Sequence, residues 1–229
     1  MKLSVLIPVY NEERTVAAVI DTVRKAPTLP GLDKEIVVVN DGSSDGTAAV
    51  LRAFEGVEGV RIFHQSPNRG KTSAIRRALR EATGDLVLIQ DADLEYSPSH
   101  YPELLAPILR GEADAVYGSR FLGTIKSMRR VNRWANRVSN ITFNLFYGTR
   151  LTDINTCFKV FRAKDLKGIV IESECFAFET EVTAKLVRRG VRFCEVPVSY
   201  EARSVEQGKK IAWGSALGMY WGILKFRLS

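Results

Sequence analysis

Five short apolar runs constrain this chain more than any other feature: LSVLIPV (residues 3–9), EIVVVND (35–41), RIFHQ (61–65), DLVLIQD (85–91) and ADAVYGS (113–119). Strands that are near-continuous in Val, Ile and Leu are covered on both faces, whereas half-solvated strands alternate apolar with polar residues. Segments of helical length separate the runs, over about 12–25, 47–54, 70–83 and 100–109, and the GSSDGT loop offers Ser or Asp to cap the second. This alternation predicts an α/β fold with a mostly parallel sheet flanked by helices. In such sheets ligands gather beyond the carboxyl ends of the strands. Pro8–Glu12, Asp41–Ser43, Asn68–Lys71 and Asp91–Glu95 would therefore share one edge. The second half is less regular. An amphipathic helix is expected over 129–146, a strand at CFKVF, a helix over 179–189, a strand at RFCEVPVSY and a helical stretch from Ile211.

The fourth run ends in VLIQDADLEYSP, with Asp91, Asp93 and Glu95 at every second position. In an extended segment such residues point the same way, so the three carboxylates are expected to converge. Crowded like charges repel unless something positive sits among them. Hard oxygen ligands suit Mg²⁺ or Mn²⁺, which commonly bridge to substrate phosphates. The plainer reading is a polar strand end splayed into solvent, and Asp41 at the end of a neighbouring strand weighs against it. RGKTSA at 69–74 has the look of a phosphate-binding P-loop, but Gln65 stands where that motif needs its first glycine. Gly70 and Lys71 still open a helix, where they would either meet an anion or cap the helix.

The 229 residues carry a net charge of +7, and its placement is uneven. From Ala115 to Thr152 there is no acid, but there are Arg120, Lys126, Arg129, Arg130, Arg133, Arg137 and Arg150. An acid-free basic run is either a solvated face or the seat of an anionic partner: nucleic acid, lipid headgroup or phosphorylated substrate. Nucleic acid is disfavoured, because aromatic stacking platforms and recognised motifs are missing. Cys157, Cys175 and Cys194 are odd in number and widely spaced, which argues against a disulfide framework or zinc and fits a reducing compartment. The opening MKLSVLIPVYNEE does not read as a signal peptide, since its apolar run ends at Pro8 and leads into acids.

SVLIPVYNEE, VVNDGSSDGT, NRGKTSA followed by TGD, and DADLEYSP together resemble family 2 of the inverting glycosyltransferases, which have the GT-A fold. YGSRF, DINTCFKVF, FAFETEV and EVPVSYEARSVEQGKK narrow the resemblance to the dolichyl-phosphate mannose synthases and related polyprenyl-phosphate glycosyltransferases. It covers residues 3 to about 210 and implies a GT-A domain over 1–210 with a C-terminal helical extension over 211–229. It implies roles by position. Pro8, Tyr10, Glu12 and Asp41 would hold the base and ribose, with Gly42, Lys71 and Ala92 in the same nucleotide-sugar site. Asp91 and Asp93 match the DxD pair that engages metal and diphosphate, and Glu95 matches a third metal ligand. Arg120, with Arg133, would clamp the acceptor phosphate. Arg203 and Lys209 or Lys210 match a basic loop over the diphosphates, although GKK stands where those synthases usually have G-x-S-K. Asp153 and Glu181 match positions near the sugar and acceptor.

The expected reaction is metal-dependent, inverting transfer of a hexose from a nucleotide sugar of the GDP-mannose or UDP-glucose type to a polyprenyl phosphate. A phosphate monoester, with a second pKa of about 6, is already a nucleophile near neutrality and needs no strong base. Two rivals remain: a related transferase with a hydroxyl acceptor, for which Asp153 is the candidate base, and a non-catalytic nucleotide-sugar or anionic-lipid binding subunit. No stretch reaches the ~20 apolar residues needed to span a bilayer. In the helix over 129–146, arginines at 129, 133 and 137 flank an apolar stripe of Trp134, Val138, Ile141 and Leu145, a pattern suited to an anionic interface. IAWGSALGMYWGIL (211–224) either lies on the interface too or packs on the sheet. The expected location is peripheral, on the cytoplasmic face of a membrane.

Overall fold

The computed structural model describes residues 1–173, 177–203 and 222–227. Lys209, Lys210, Cys175 and the expected helical extension, apart from a short helical segment over 222–227, lie outside the described residues.

The five apolar runs become strands β1 (Lys2–Val9), β2 (Asp33–Asp41), β3 (Val60–Gln65), β4 (Leu86–Ile89) and β5 (Ala115–Ser119). They are interleaved with helices α1 (Val16–Lys25), α2 (Thr47–Arg52), α3 (Lys71–Glu81) and α4 (Tyr101–Leu109). The chain continues through β6 (Ile125–Lys126), α5 (Arg130–Tyr147), β7 (Lys159–Arg162), α6 (Ala163–Lys167), α7 (Phe178–Arg188), β8 (Phe193–Pro197) and β9 (Tyr200–Glu201). The main sheet runs in the order β3-β2-β1-β4-β7-β5-β8, and β6 pairs with β9 beside it. One strand departs from the parallel expectation: β7 lies antiparallel between β4 and β5. It is reached from β5 through residues 120–158, which carry β6 and α5.

Both faces of the sheet are buried, as the continuous apolar runs require. Leu3, Val5 and Ile7 of β1 pack with Val16, Ile20, Leu104 and Leu105 of α1 and α4. On the opposite face Leu6, Val37, Val39 and Val87 meet Ile75 and Ala78 of α3, Phe143 of α5 and Val182 of α7.

The order of strands creates a crevice. From β1 the chain builds outward to β2 and β3, then returns to place β4 on the other side of β1. Such a reversal point is where ligands enter an open α/β sheet. Pro8 helps to open it. Leu6 O accepts from Gln90 N on the β4 side. Two residues later the proline nitrogen faces the same side with no N–H to give, where β4 has already ended.

Candidate active site

The segment after β4 is not the extended strand end that the alternation suggested. It turns: Leu94 takes a left-handed φ of 61° and Glu95 N donates to Asp93 Oδ1 at 3.1 Å. An Asp side chain folding back on a backbone N–H two residues on is an Asx turn, which competes successfully with β extension. Asp91, Asp93 and Glu95 are thus gathered by a turn rather than by pleating. A left-handed non-glycine residue is costly, and such strain is characteristic of sites held in place by their surroundings.

Positive charge does sit among the acids. Lys71, the first residue of α3, reaches Asp91 Oδ1 at 2.7 Å, with Cys157 Sγ at 3.0 Å and Glu179 Oε1 at 3.7 Å. Burial alone would depress the lysine, but Asp91, Cys157 and Glu179 together hold its pKa well above the ordinary value. On the other side, Arg203 forks onto both oxygens of Glu12 at 2.9 and 3.1 Å and lies 3.5 Å from Asp93 Oδ2. Arg203 therefore spans the crevice between the ends of β1 and β4. It does not fully offset the acids: burial, Asp91 and Glu95 push the Asp93 carboxyl up to about 7. A carboxylate pair short of positive charge is chemically suited to a divalent cation. Among the described residues, no group of three or more His, Cys, Asp or Glu side chains is gathered to hold a metal by itself. Two carboxylates completed by phosphate oxygens and water is the usual arrangement for Mg²⁺ in phosphate sites.

The loops after β1 and β2 are stitched together beside this cluster. Asn11 N donates to Ser43 Oγ (2.9 Å), Ser44 N to Asn11 Oδ1 (2.8 Å) and Glu12 N to Thr47 Oγ1 (2.8 Å). Gly42 sits at φ 66°, and a Cβ there would meet Asn68 N at 2.8 Å, so only glycine lets this loop approach the one after β3. Asp41 closes β2 with Oδ1 taken by Gln65 Nε2 and Arg69 N, while its buried Oδ2 has no partner among the described residues. An orphaned buried acceptor is costly unless a donor is supplied from elsewhere. Tyr10, 39% exposed, stands over the same edge.

A second constellation lies beyond β5. Arg120 binds Asp153 through Nε–Oδ2 (2.7 Å), Nη2–Oδ1 (2.8 Å) and its own backbone N (3.0 Å). Asp153 is fully buried and Arg120 nearly so. Three asparagines at four-residue spacing on α5 hold the loop that carries Asp153. Asn136 Oδ1 accepts from Asn155, Asn140 binds both Thr152 O and Ile154 N, and Asn144 binds Leu151 at O and N. Arg133 lies one turn before Asn136 on this face, and its buried Nε has no hydrogen-bond partner among the described residues.

Residues 4–170 match the family model for glycosyl transferase family 2. The chain belongs to glycosyltransferase family 2. Among curated relatives it is 28% identical over 208 residues to a dodecaprenyl-phosphate galacturonate synthase of Rhizobium johnstonii, covering 89% of this chain and 60% of that one. It is 30% identical over 201 residues to the glycosyltransferase AglJ of Haloferax volcanii, covering 87% of this chain and 63% of that one. The chain therefore spans less than two thirds of the length of these relatives. Glucosyl-3-phosphoglycerate synthase of Mycobacterium tuberculosis superposes with a TM-score of 0.76 at 20% identity, over 98% of this chain and 79% of that one. Another structure of it, with Mn²⁺, uridine diphosphate and glucosyl-3-phosphoglycerate, gives 0.75 at 22% identity. These superpositions establish the GT-A fold, a Rossmann-like α/β fold whose largely parallel sheet is flanked by helices.

Within this family member, the residues expected at the nucleotide-sugar site converge: Glu12, Asp91, Asp93, Lys71 and Arg203 are joined by the contacts above. Ala92 lies in the same turn, and its carbonyl accepts from Thr15 Oγ1 at 2.7 Å. Glu95, in the same turn, has a donor on each oxygen. Its Oε2 accepts from Tyr200 OH (2.6 Å) and its Oε1 from Arg203 N (2.8 Å). Glu181 serves the fold rather than the crevice. It is fully buried and accepts from Glu172 N, Ser173 N and Lys185 Nζ at 2.6–2.7 Å. Despite burial, these donors keep its pKa below the usual value.

In FETEV it is Glu179 that reaches Lys71, because residues two apart on a helix face different ways. Glu181→Ala should lower stability by about 3 kcal/mol, since two backbone N–H groups lose their acceptor. A thermal melt measures this, and nucleotide binding below the melt should persist. Lys159 is a further buried group that the motifs do not single out. It is fully buried, donates to Ile154 O at 3.0 Å, and burial lowers its pKa to about 7. The signal for it is a lysine inside an apolar strand, CFKVF.

Proposed function

We propose that the chain is the catalytic domain of a metal-dependent, inverting glycosyltransferase that moves a hexose from a nucleoside diphosphate sugar to a polyprenyl phosphate. The observation that carries this reading is the pairing of two charged constellations on the carboxyl side of one sheet. One is the acidic turn Asp91–Glu95 at the β1/β4 crevice; the other is the Arg120–Asp153 pair beyond β5, with Arg133 on the helix that holds the Asp153 loop. The name of the Rhizobium relative, a dodecaprenyl-phosphate sugar synthase, supports a polyprenyl phosphate as acceptor. The Mn²⁺ and uridine diphosphate bound by the mycobacterial synthase support a divalent cation and a nucleotide donor.

In this reading Asp41, Tyr10 and the Gly42 turn receive the nucleoside. Asp91 and Asp93 would hold Mg²⁺ or Mn²⁺, which when bound neutralises charge developing on the departing diphosphate. Arg203 moves its charge a short way from Glu12 and Asp93 to diphosphate oxygens, and Lys71 keeps Asp91 aimed. The anomeric carbon loses its bond to the diphosphate and gains one to an acceptor phosphate oxygen on the opposite face. No proton need be transferred, because the acceptor arrives ionised. Asp153 supports this acceptor over a hydroxyl. Both its oxygens accept from Arg120 and the carboxylate is fully buried, which keeps it in the ion pair and disfavours a general-base role. The Arg120 and Arg133 guanidinium groups match phosphate geometry.

A polyprenyl acceptor brings a membrane with it, and α5 presents a fitting surface. Trp134, Ile141 and Leu145 are 67%, 67% and 81% exposed, along with Val131 and Val138 on the same stripe. Exposed Arg129, Arg130 and Arg137 flank them, without a single acid from Ala115 to Thr152. Trp beside basic residues suits an anionic lipid surface. No helix among the described residues is long and apolar enough to cross a membrane. We place the domain peripherally on the cytoplasmic face. Trp134→Glu with Ile141→Glu should cut co-sedimentation with phosphatidylglycerol-containing vesicles at least tenfold. Unchanged sedimentation would remove α5 from the interface.

The reaction itself is tested by incubating the protein with Mn²⁺, a polyprenyl phosphate and separate GDP- and UDP-sugars, then analysing the lipid by mass spectrometry. A hexosyl-phosphate lipid with one donor supports the reading. Donor hydrolysis without a glycolipid, or no reaction with any donor, contradicts it.

A further inference from the structure

Tyr200 lies between the two constellations and touches both. Its hydroxyl donates to Glu95 Oε2 at 2.6 Å, within the acidic turn. The face of its ring lies against the Arg120 guanidinium, 5.2 Å from ring centroid to Cζ. The ring is almost fully buried and packs on Tyr96 with centroids 5.0 Å apart. The backbone of the segment is pinned from both ends: Tyr200 N donates to Thr124 O at 2.9 Å, and Glu201 N donates to Glu95 O at 3.1 Å.

We infer that Tyr200 is a positioning residue that links the cation site to the acceptor clamp, orienting Glu95 through its hydroxyl and Arg120 through its ring. This rests on the glycosyltransferase reading, in which the acidic turn receives a cation and Arg120 an acceptor phosphate. The two contacts are chemically distinct, which makes them separable. A phenol donating to a carboxylate is a charge-assisted bond that fixes which oxygen lone pairs remain for other ligands. Partners of this outer kind typically change metal affinity ten- to hundredfold when removed. The ring contact is a cation–π interaction, and at a buried site it restrains where the guanidinium plane can point.

Arg203 strengthens the coupling. Its backbone N takes the other Glu95 oxygen at 2.8 Å, while its side chain reaches Glu12 and Asp93. Any cation-driven rotation of the Glu95 carboxylate is therefore felt at Tyr200 and at Arg203 together. Donor–cation binding and acceptor seating are thereby linked through one aromatic side chain.

Two substitutions separate the contacts. Tyr200→Phe keeps the ring on Arg120 and deletes the hydroxyl; Tyr200→Leu deletes both. Mn²⁺ binding is followed by loss of the free-ion electron paramagnetic resonance signal, with UDP and, separately, GDP present. The KM for polyprenyl phosphate is measured alongside. Tyr200→Phe should weaken Mn²⁺ binding about tenfold and leave the acceptor KM unchanged. Tyr200→Leu should weaken Mn²⁺ binding to the same degree and also raise the acceptor KM roughly three- to thirtyfold. Wild-type Mn²⁺ binding by Tyr200→Phe would overturn the proposal, as would an acceptor KM that rises equally in both variants. Absence of Mn²⁺ binding by the wild-type protein with either nucleotide would overturn the glycosyltransferase reading instead, and the two failures are distinct.

Discussion

Asp93→Asn should abolish glycosyl transfer, by roughly a thousandfold or more, while the protein remains folded and loses no stability at pH 8. The activity loss follows from removing the charge on which a cation and diphosphate depend. The stability expectation comes from the wild-type carboxyl itself. Burial, Asp91 and Glu95 raise its pKa to about 7, so the folded state binds this proton more tightly than the unfolded state does. Between about pH 4, the usual carboxylate value, and pH 7 the native protein holds more protons than the unfolded chain, so stability falls as pH rises through this window. Above it, Asp93 is an uncompensated cost that asparagine removes. Wild type should therefore gain stability from pH 8 to pH 6, and Asp93→Asn should show less of that gain. Thermal melts at several pH values, beside an activity assay in Mn²⁺ buffer, measure both. A fully active variant would end the metal assignment, and a variant markedly less stable than wild type at pH 8 would refute the electrostatic account.

Asp153→Ala should produce the largest loss of stability of any single change in the site. It strands the buried Arg120 guanidinium, which makes two contacts with this carboxylate, and removes the acceptor of the Arg120 backbone N. Breaking a buried ion pair from one side costs about 3–5 kcal/mol. For a domain of this size that is about 10 °C or more in Tm. The variant should also lose acceptor affinity, because an unanchored Arg120 no longer presents a fixed fork. A melt within two or three degrees of wild type would show that the pair does not anchor this side of the site.

Much of the fold is legible in the sequence because a buried parallel strand leaves an unmistakable mark. The runs at 3–9, 35–41 and 61–65 name β1, β2 and β3 almost to the residue. The antiparallel β7 is not legible in its direction, since CFKVF carries composition but no orientation. β6 and β9 are two residues each, too short for any periodicity to register. The asparagine ladder at 136, 140 and 144 is visible as a spacing, yet polar residues on a helix ordinarily face water. Only the presence of the 149–155 loop against α5 makes them internal.

The candidate site is legible where the chemistry is local. Asp91, Asp93 and Lys71 stand next to strand ends and helix starts, so their place on the sheet edge follows from topology. Their mode of convergence does not, because the Asx turn and the left-handed Leu94 depend on competition between side-chain and backbone hydrogen bonds. Partners far apart in sequence are the hardest to foresee. Arg120 with Asp153, Lys71 with Glu179, and Glu95 with Tyr200 are separated by dozens of residues. Motifs identify such residues as worth attention but say nothing of which one pairs with which.

In the proposed reaction the acceptor is a phosphate monoester, seated by arginines and needing no base. This is tested most directly by offering the protein, with one donor and Mn²⁺, an equal mixture of a polyprenyl phosphate and the matching free polyprenol. Mass spectrometry should find a glycosyl phosphodiester from the phosphate and no glycosylated polyprenol. Glycosylation of the free alcohol at a comparable rate would contradict this assignment of the acceptor.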